Sequence, residues 1–121
     1  MSTQTYQDLL LWQKVHRLVL VVYRATKLFP ADERYALTSQ LRRSVSSIAA
    51  NIVEGYARHN TKVFLNHLSM AQGSLEETKY HLLVARDLGY LVPSNHEEVL
   101  SLAEEVGKLL RSFVKGLSSR T

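Results

Sequence analysis

Apolar residues recur along this chain at three- and four-residue steps in four separate stretches, the spacing that lines one face of an α-helix. In the first, Leu11, Val15, Leu18, Val22 and Thr26 share a face, and Asp8 stands where a helix would be capped. "FP" at 29 and 30 closes it, because proline disfavours helical backbone in the residue before it. The second stretch places Leu37, Leu41, Val45, Ile48, Ile52 and Tyr56 on one face. Its start falls between Ala31 and Ser39, with room for a bend near Tyr35 to Thr38. A break at "HNT" precedes the third, capped by Asn60 or Thr61. Its face carries Leu65, Leu68, Ala71 or Gln72, Leu75, Leu82 and Ala85, and Gly89 is placed as its C-terminal cap. After "YLVPS", Ser94 and Glu97 have the spacing of a capping box. Val99, Leu102 or Ala103, Val106, Leu110, Phe113 and Leu117 line the fourth face. No stretch alternates apolar and polar residues as a strand does. The pattern predicts one domain over residues 1–121, with helices at about 8–28, 34–58, 61–88 and 95–117. Short connections make an antiparallel up-down-up-down four-helix bundle the economical all-α fold.

Two of these helices depart from ordinary amphipathicity. On the first, Leu9, Leu10, Leu20 and Val21 fall on the far side among Lys14, Arg17 and Arg24, and a helix apolar nearly all round is normally covered nearly all round. On the second, "RRSVSSIAANIVEG" at 42–55 contains ten consecutive uncharged residues between Arg43 and Glu54. A polar stripe of Gln40, Ser44, Ser47, Asn51, Glu54 and Arg58 flanks its core face, and Ser39, Ser46, Ala50 and Ala57 keep its back small. An antiparallel third helix turning near residue 60 sets Ser47 near Gly73 and Arg43 near Glu76 or Glu77. We therefore expect a structural polar network of Gln40, Arg43, Ser47, Asn51, Glu54, Arg58 and Glu77. Within it, an Arg43–Glu77 contact would satisfy charges that packing partly desolvates.

Composition narrows the function classes. A chain of 121 residues is long enough to bury a proper core without disulfides. There is no cysteine, so thiolate nucleophiles, disulfides and cysteine zinc sites are excluded, which fits the cytoplasm. The longest apolar run, "LVLVVY" at 18–23, is far shorter than the ~20 residues of a membrane span. "MSTQTYQD" at the start has no signal pattern. These features predict a soluble cytoplasmic chain with no membrane association.

Catalytic and cofactor motifs are missing. A di-iron bundle needs Glu-x-x-His, but the residues three before the five histidines are Gln13, Tyr56, Phe64, Thr78 and Pro93. No His-x-x-x-His pair occurs, and the glycines at 55, 73, 89, 107 and 116 make no phosphate loop or dinucleotide fingerprint. Catalytic residues, metals and cofactors are therefore all expected to be absent. His67 and His81, fourteen residues apart, suit solvated or hydrogen-bonding roles rather than a shared ligand. The tyrosines suit packing positions with the hydroxyl at an edge, and Trp12 suits an anchor for the first helix.

The formal net charge is +4, and the excess belongs to the first half: residues 1–58 hold eight Lys/Arg against four acids, whereas residues 59–121 hold seven against seven. Such an asymmetry invites an acidic partner such as RNA.

"LLLWQKVHRL", "LFPADERYALTSQLRRSVSSIAANIVEGYAR", "FLNHLSMAQGSLEETKYHL" and "LGYL", in that order over about residues 6–91, resemble the small four-helix bundle proteins encoded by intervening sequences of bacterial 23S ribosomal RNA genes. The likeness rests on Trp12, Phe29, Pro30, Gln40, Leu41, Arg42, Arg43, Ser47, Ile48, Asn51, Ile52, Glu54, Gly55, Arg58, Gly73, Ser74 and Glu77. Ala36 and Val53 depart from it, where such proteins often have glycine and alanine. The resemblance implies a bundle that closes into a five-fold homo-oligomeric ring. It is similar in build to the accessory proteins of diversity-generating retroelements, which present a basic surface to nucleic acid and reverse transcriptase. It implies no catalytic activity, and a gene's position inside an rRNA gene does not establish rRNA binding.

The favoured expectation is thus a non-enzymatic, ring-forming protein whose Lys14, Arg17, Arg24, Lys27, Arg42 and Arg43 meet RNA or DNA phosphates. The alternative is an oligomeric scaffold or protein-interaction module whose basic face meets another protein.

Overall fold

A computed structural model describes residues 5–119. Among these residues it contains four α-helices and no strand: α1 (Leu10–Thr26), α2 (Leu37–Ala57), α3 (Thr61–Asp87) and α4 (Pro93–Ser118). α1 packs on α2 and α4, α2 on α3, and α3 on α4, so each helix has two neighbours and none lies against the helix opposite. Among the described residues no helix is long and apolar enough to cross a membrane.

The helix ends follow local chemistry, with two departures from the sequence expectation. Asp8 does not cap α1. Its carboxylate accepts from the Thr5 N–H at 3.0 Å, closing a 3-10 turn at Tyr6–Asp8, and extended Leu9 then precedes the helix. Nor does Ser94 cap α4, which starts two residues earlier than expected, at Pro93, with Val92 as the flanking residue. Proline needs no N–H partner at a first helical position, so it starts the helix where serine was expected to. Asn60 does cap α3, its Oδ1 accepting from the Val63 N–H at 3.0 Å. Gly89 ends the same helix with φ of 81°: its N–H reaches the Arg86 carbonyl, and the Tyr90 N–H reaches the Ala85 carbonyl. That doubled bond pattern needs a left-handed residue, and glycine adopts it without a Cβ clash.

The core is built from the periodic faces. Leu11, Val15, Leu18 and Val22 of α1, Leu41, Val45, Ile48 and Ile52 of α2, Leu68, Ala71, Leu75 and Leu82 of α3, and Val99, Ala103, Val106 and Leu110 of α4 are all buried. Each large aliphatic side chain withdrawn from water contributes ~1.5–3 kcal/mol. Phe64 rather than Leu65 fills the first turn of α3, meeting Phe113 edge to face with ring centroids 5.6 Å apart. Ion pairs bind the outer edges: Lys14 to Glu105 at 2.9 Å, and Lys79 to Glu76 at 3.1 Å and Glu104 at 3.4 Å.

The α2–α3 seam answers the question raised by the uncharged segment at 44–53. The Thr78 hydroxyl lies 2.9 Å from that of Ser44, the Ser74 hydroxyl 3.0 Å from that of Ser47, and His67 Nδ1 3.0 Å from Asn51 Oδ1. The pairs climb α2 while descending α3. Small side chains let the backbones approach: a Cβ on Gly55 would stand 2.7 Å from Phe64 Cδ1 and 2.8 Å from His67 Cβ. Gly73, expected opposite Ser47, instead has open space around it, and the adjacent Ser74 makes the contact.

Candidate nucleic-acid interface

The expected polar network forms in part, and from partly different residues. Asn51 donates from Nδ2 to the Ser47 carbonyl at 2.9 Å, leaving Oδ1 to accept, so His67 carries a proton on Nδ1. Glu54 stands 3.9 Å from the same nitrogen. Ser44, His67, Ser74 and Thr78 complete the seam. Gln40, Arg43 and Arg58 are exposed and make no side-chain hydrogen bond or ion pair among the described residues. The expected Arg43–Glu77 contact is not formed: Glu77 instead accepts from His81 Nε2 at 3.2 Å. The reason is angular. Ser44 points at α3, and Arg43 lies roughly 100° round the helix from it, past Ser47 and out into solvent.

The cationic candidates separate into two environments on either side of α1. Towards α4, Lys14 is bound to Glu105. Arg17 lines a groove of about 650 Å³ together with Val21, Leu102, Glu97, Glu98 and Glu105. With Glu105 held by Lys14, Glu97 and Glu98 face the single guanidinium and leave that groove net acidic. It repels phosphate, and the two cations there are not available as a pair.

Towards α2 the arrangement reverses. Arg42 Nε donates to Thr26 Oγ1 at 2.8 Å and Nη2 donates to the Tyr23 carbonyl at 3.2 Å, while the guanidinium sits 4.8 Å from the centre of the Tyr23 ring. Thr26 is held in turn by the Val22 carbonyl at 2.9 Å. Arg42 is therefore both a brace between α1 and α2 and a fixed positive charge. Lys27 and Arg34 join it around a concavity of about 280 Å³, lined also by Thr26, Phe29, Pro30, Ala31 and Thr38. Both are exposed and pair with no described acid. Arg24, three residues before Lys27 and also exposed, extends the positive surface outward along the same helix.

The nearest acids are turned elsewhere. Glu33 Oε1 accepts from the Leu37 N–H at 3.3 Å, and Oε2 accepts from the Tyr90 hydroxyl at 2.8 Å. That hydrogen bond, with burial and the charges of Glu33 and Asp32, raises the Tyr90 pKa above its ordinary value. Neither Asp32 nor Glu33 lines the concavity.

Arg34 and Thr38 were not singled out by sequence reasoning. They lie in the turn and first residues of α2, where no helical face could be assigned. Arg34 was visible only as one more basic residue in the first half. Among the described residues no group of three or more histidines and carboxylates could hold a metal ion.

The sequence profile of a family described as "23S rRNA-intervening sequence protein" matches residues 7–112, and the chain belongs to that family. A crystal structure of a protein of unknown function from the S23 ribosomal protein family of Bacteroides thetaiotaomicron VPI-5482 is similar, with a TM-score of 0.80 and 25% identity over 87% of this chain and 95% of that one. Neither description names a reaction. No curated protein matches the chain.

Proposed function

We propose that this member of the 23S rRNA-intervening sequence protein family is a non-enzymatic, cytoplasmic protein that binds RNA through the basic surface where the end of α1 meets the start of α2. One observation carries the reading: Lys27, Arg34 and Arg42 surround one concavity that no acid lines, with Arg24 alongside. Exposed, unpaired cations on a fixed brace suit contacts to phosphate oxygens, which position a nucleic acid without reading its sequence. Arg43, also exposed, would add a contact further along α2. Lys14 and Arg17 fit the role poorly beside their glutamates.

The fold is read as an antiparallel up-down-up-down bundle that assembles into a closed homo-oligomeric ring, on the family likeness a pentamer. The opposed numbering of the α2–α3 pairs supports the first part. Exposed Leu28 and Val92, which share one hollow with Val21 and Ala25, support the second, since contiguous exposed apolar surface marks interaction sites. The same residues favour the second reading, an oligomeric scaffold whose partner is another protein.

Gel-shift titrations with structured RNA and duplex DNA, repeated across salt concentration, separate the two. If four cations meet phosphates, duplex affinity falls by about a hundredfold between 50 and 200 mM salt. No binding to either nucleic acid at low salt removes the RNA reading. Light scattering that finds a monomer removes the ring.

A further inference from the structure

The concavity between the end of α1 and the start of α2 has a more specific character than a basic patch. Its cations come from three different elements: Lys27 from the end of α1, Arg34 from the turn, and Arg42 from the second turn of α2. Convergence of this kind makes a pocket, whereas a charge stripe along one helix makes a track. Arg42 is already held in place by Thr26 and Tyr23. Two of its five N–H donors are used in those bonds, so the rest of a rigid fork remains to offer. Thr38 is buried at the wall, and its hydroxyl has no partner among the described residues. It lies at the second residue of α2, one past Leu37, whose N–H is already taken by Glu33.

The pocket's size restricts what enters. About 280 Å³ lies just under the roughly 300–1,000 Å³ typical of small-molecule sites. It has ample room for a phosphoryl group and its nearest linkage, and offers a nucleobase no free aromatic ring. Phe29 is buried and already packed against Tyr90, with ring centroids 5.7 Å apart, so it is not free to stack on one. Three cations and one hydroxyl, with no acid, match a doubly charged tetrahedral oxyanion better than the single charge of an internal phosphodiester.

We propose that this pocket, formed by Lys27, Arg34, Thr38 and Arg42, binds a phosphate monoester dianion, in the protein's working complex the terminal phosphate of an RNA strand. The second clause rests on the RNA-binding reading above, while the first stands on the pocket alone. Arg42 holds the anion in a fixed orientation, Lys27 and Arg34 close over it from the exposed side, and Thr38 donates its hydroxyl. The site thereby distinguishes a phosphorylated strand end from a hydroxyl end.

The test is calorimetric titration of the full chain at low salt with three probes: a 5′-phosphorylated oligoribonucleotide, the same strand with a 5′-hydroxyl, and inorganic phosphate. The phosphorylated strand binds at least about tenfold tighter than the hydroxyl strand, the effect of gaining charge-assisted hydrogen bonds. Inorganic phosphate competes that difference away. Lys27→Ala with Arg34→Ala brings the ratio towards one without lowering the melting temperature, because neither side chain holds the fold. Thr38→Val, close to isosteric, lowers it by less. Equal binding of the two strands overturns the pocket while leaving RNA binding in place. A phosphorylated strand bound no tighter than inorganic phosphate, both lost on Arg34→Ala, with no binding of the hydroxyl strand, keeps the pocket and overturns the RNA reading. No binding of any probe overturns both.

Discussion

On its α4 side, helix α1 presents Lys14 and Arg17 to Glu97, Glu98 and Glu105. On its α2 side, Lys27 meets Arg34 and Arg42 with no carboxylate between them. The same residue types stand among acids in one place and are gathered without them in the other. A net charge counted along the chain treats them alike. What makes a cation available to a partner is the helix packed next to it. The second half of the chain, balanced in charge, supplies from α4 the acids that neutralise part of the basic first half.

Substituting both free cations gives the largest contrast between the flanks. Lys27→Glu with Arg34→Glu is expected to weaken RNA binding by at least about a hundredfold at low salt and to flatten its salt dependence. Lys14→Ala is expected to change it by less than about twofold, since that charge is already paired. Comparable losses from the two variants would erase the distinction between the flanks.

Stability provides the second contrast. Arg42→Ala removes two hydrogen bonds and a guanidinium–ring contact between α1 and α2, and chemical denaturation is expected to show a loss of about 1–3 kcal/mol. Breaking the Lys14–Glu105 pair with Lys14→Ala costs less than about 1 kcal/mol by the same measurement, because the pair is partly open to solvent. A larger loss from Lys14→Ala would mean that α4, not α2, anchors α1.

The smallest effect concerns the acid turned away from the pocket. The Tyr90 pKa is raised in the folded protein, chiefly by its hydrogen bond to Glu33. The protonated phenol is therefore favoured by folding. Its stabilisation is complete below the ordinary value of 10.0 and is lost as pH rises from there through the folded value. Melting curves above that pH should fall more steeply for the wild type than for Tyr90→Phe, which has no such proton to lose. Parallel curves would mean that the Glu33 bond contributes nothing in solution.

Features governed by local rules were legible in the sequence. The apolar faces of α1 and α2, Asn60 as a cap and Gly89 as a terminator depend on residues within a turn or two of one another. Features that depend on angular position between helices were not. Pairing by residue number came within one residue, naming Gly73 where Ser74 makes the contact, but it ignored the angle round α2 that turns Arg43 to solvent and leaves Glu77 to His81. Competition between neighbouring signals also misled: Ser94 had the right spacing for a cap, but Pro93 beside it starts the helix sooner. The pocket was hidden because Arg34 and Thr38 fall where the helical period is interrupted. Ala36, where the resemblance suggested glycine, is the non-helical residue at which α2 begins.

Gly55 has a consequence for how this protein can change over generations. Even alanine there would push a Cβ against a ring carbon of Phe64 and against His67 Cβ, an atom fixed to the α3 backbone that no rotamer change can move. Any replacement must shift α3 away from α2 at this point and strain the seam beyond it, so position 55 resists single substitutions. Gly73 has open space around it and can drift freely. Two glycines, eighteen positions apart and indistinguishable in composition, thus differ sharply in the room they leave for a side chain along one helix pair.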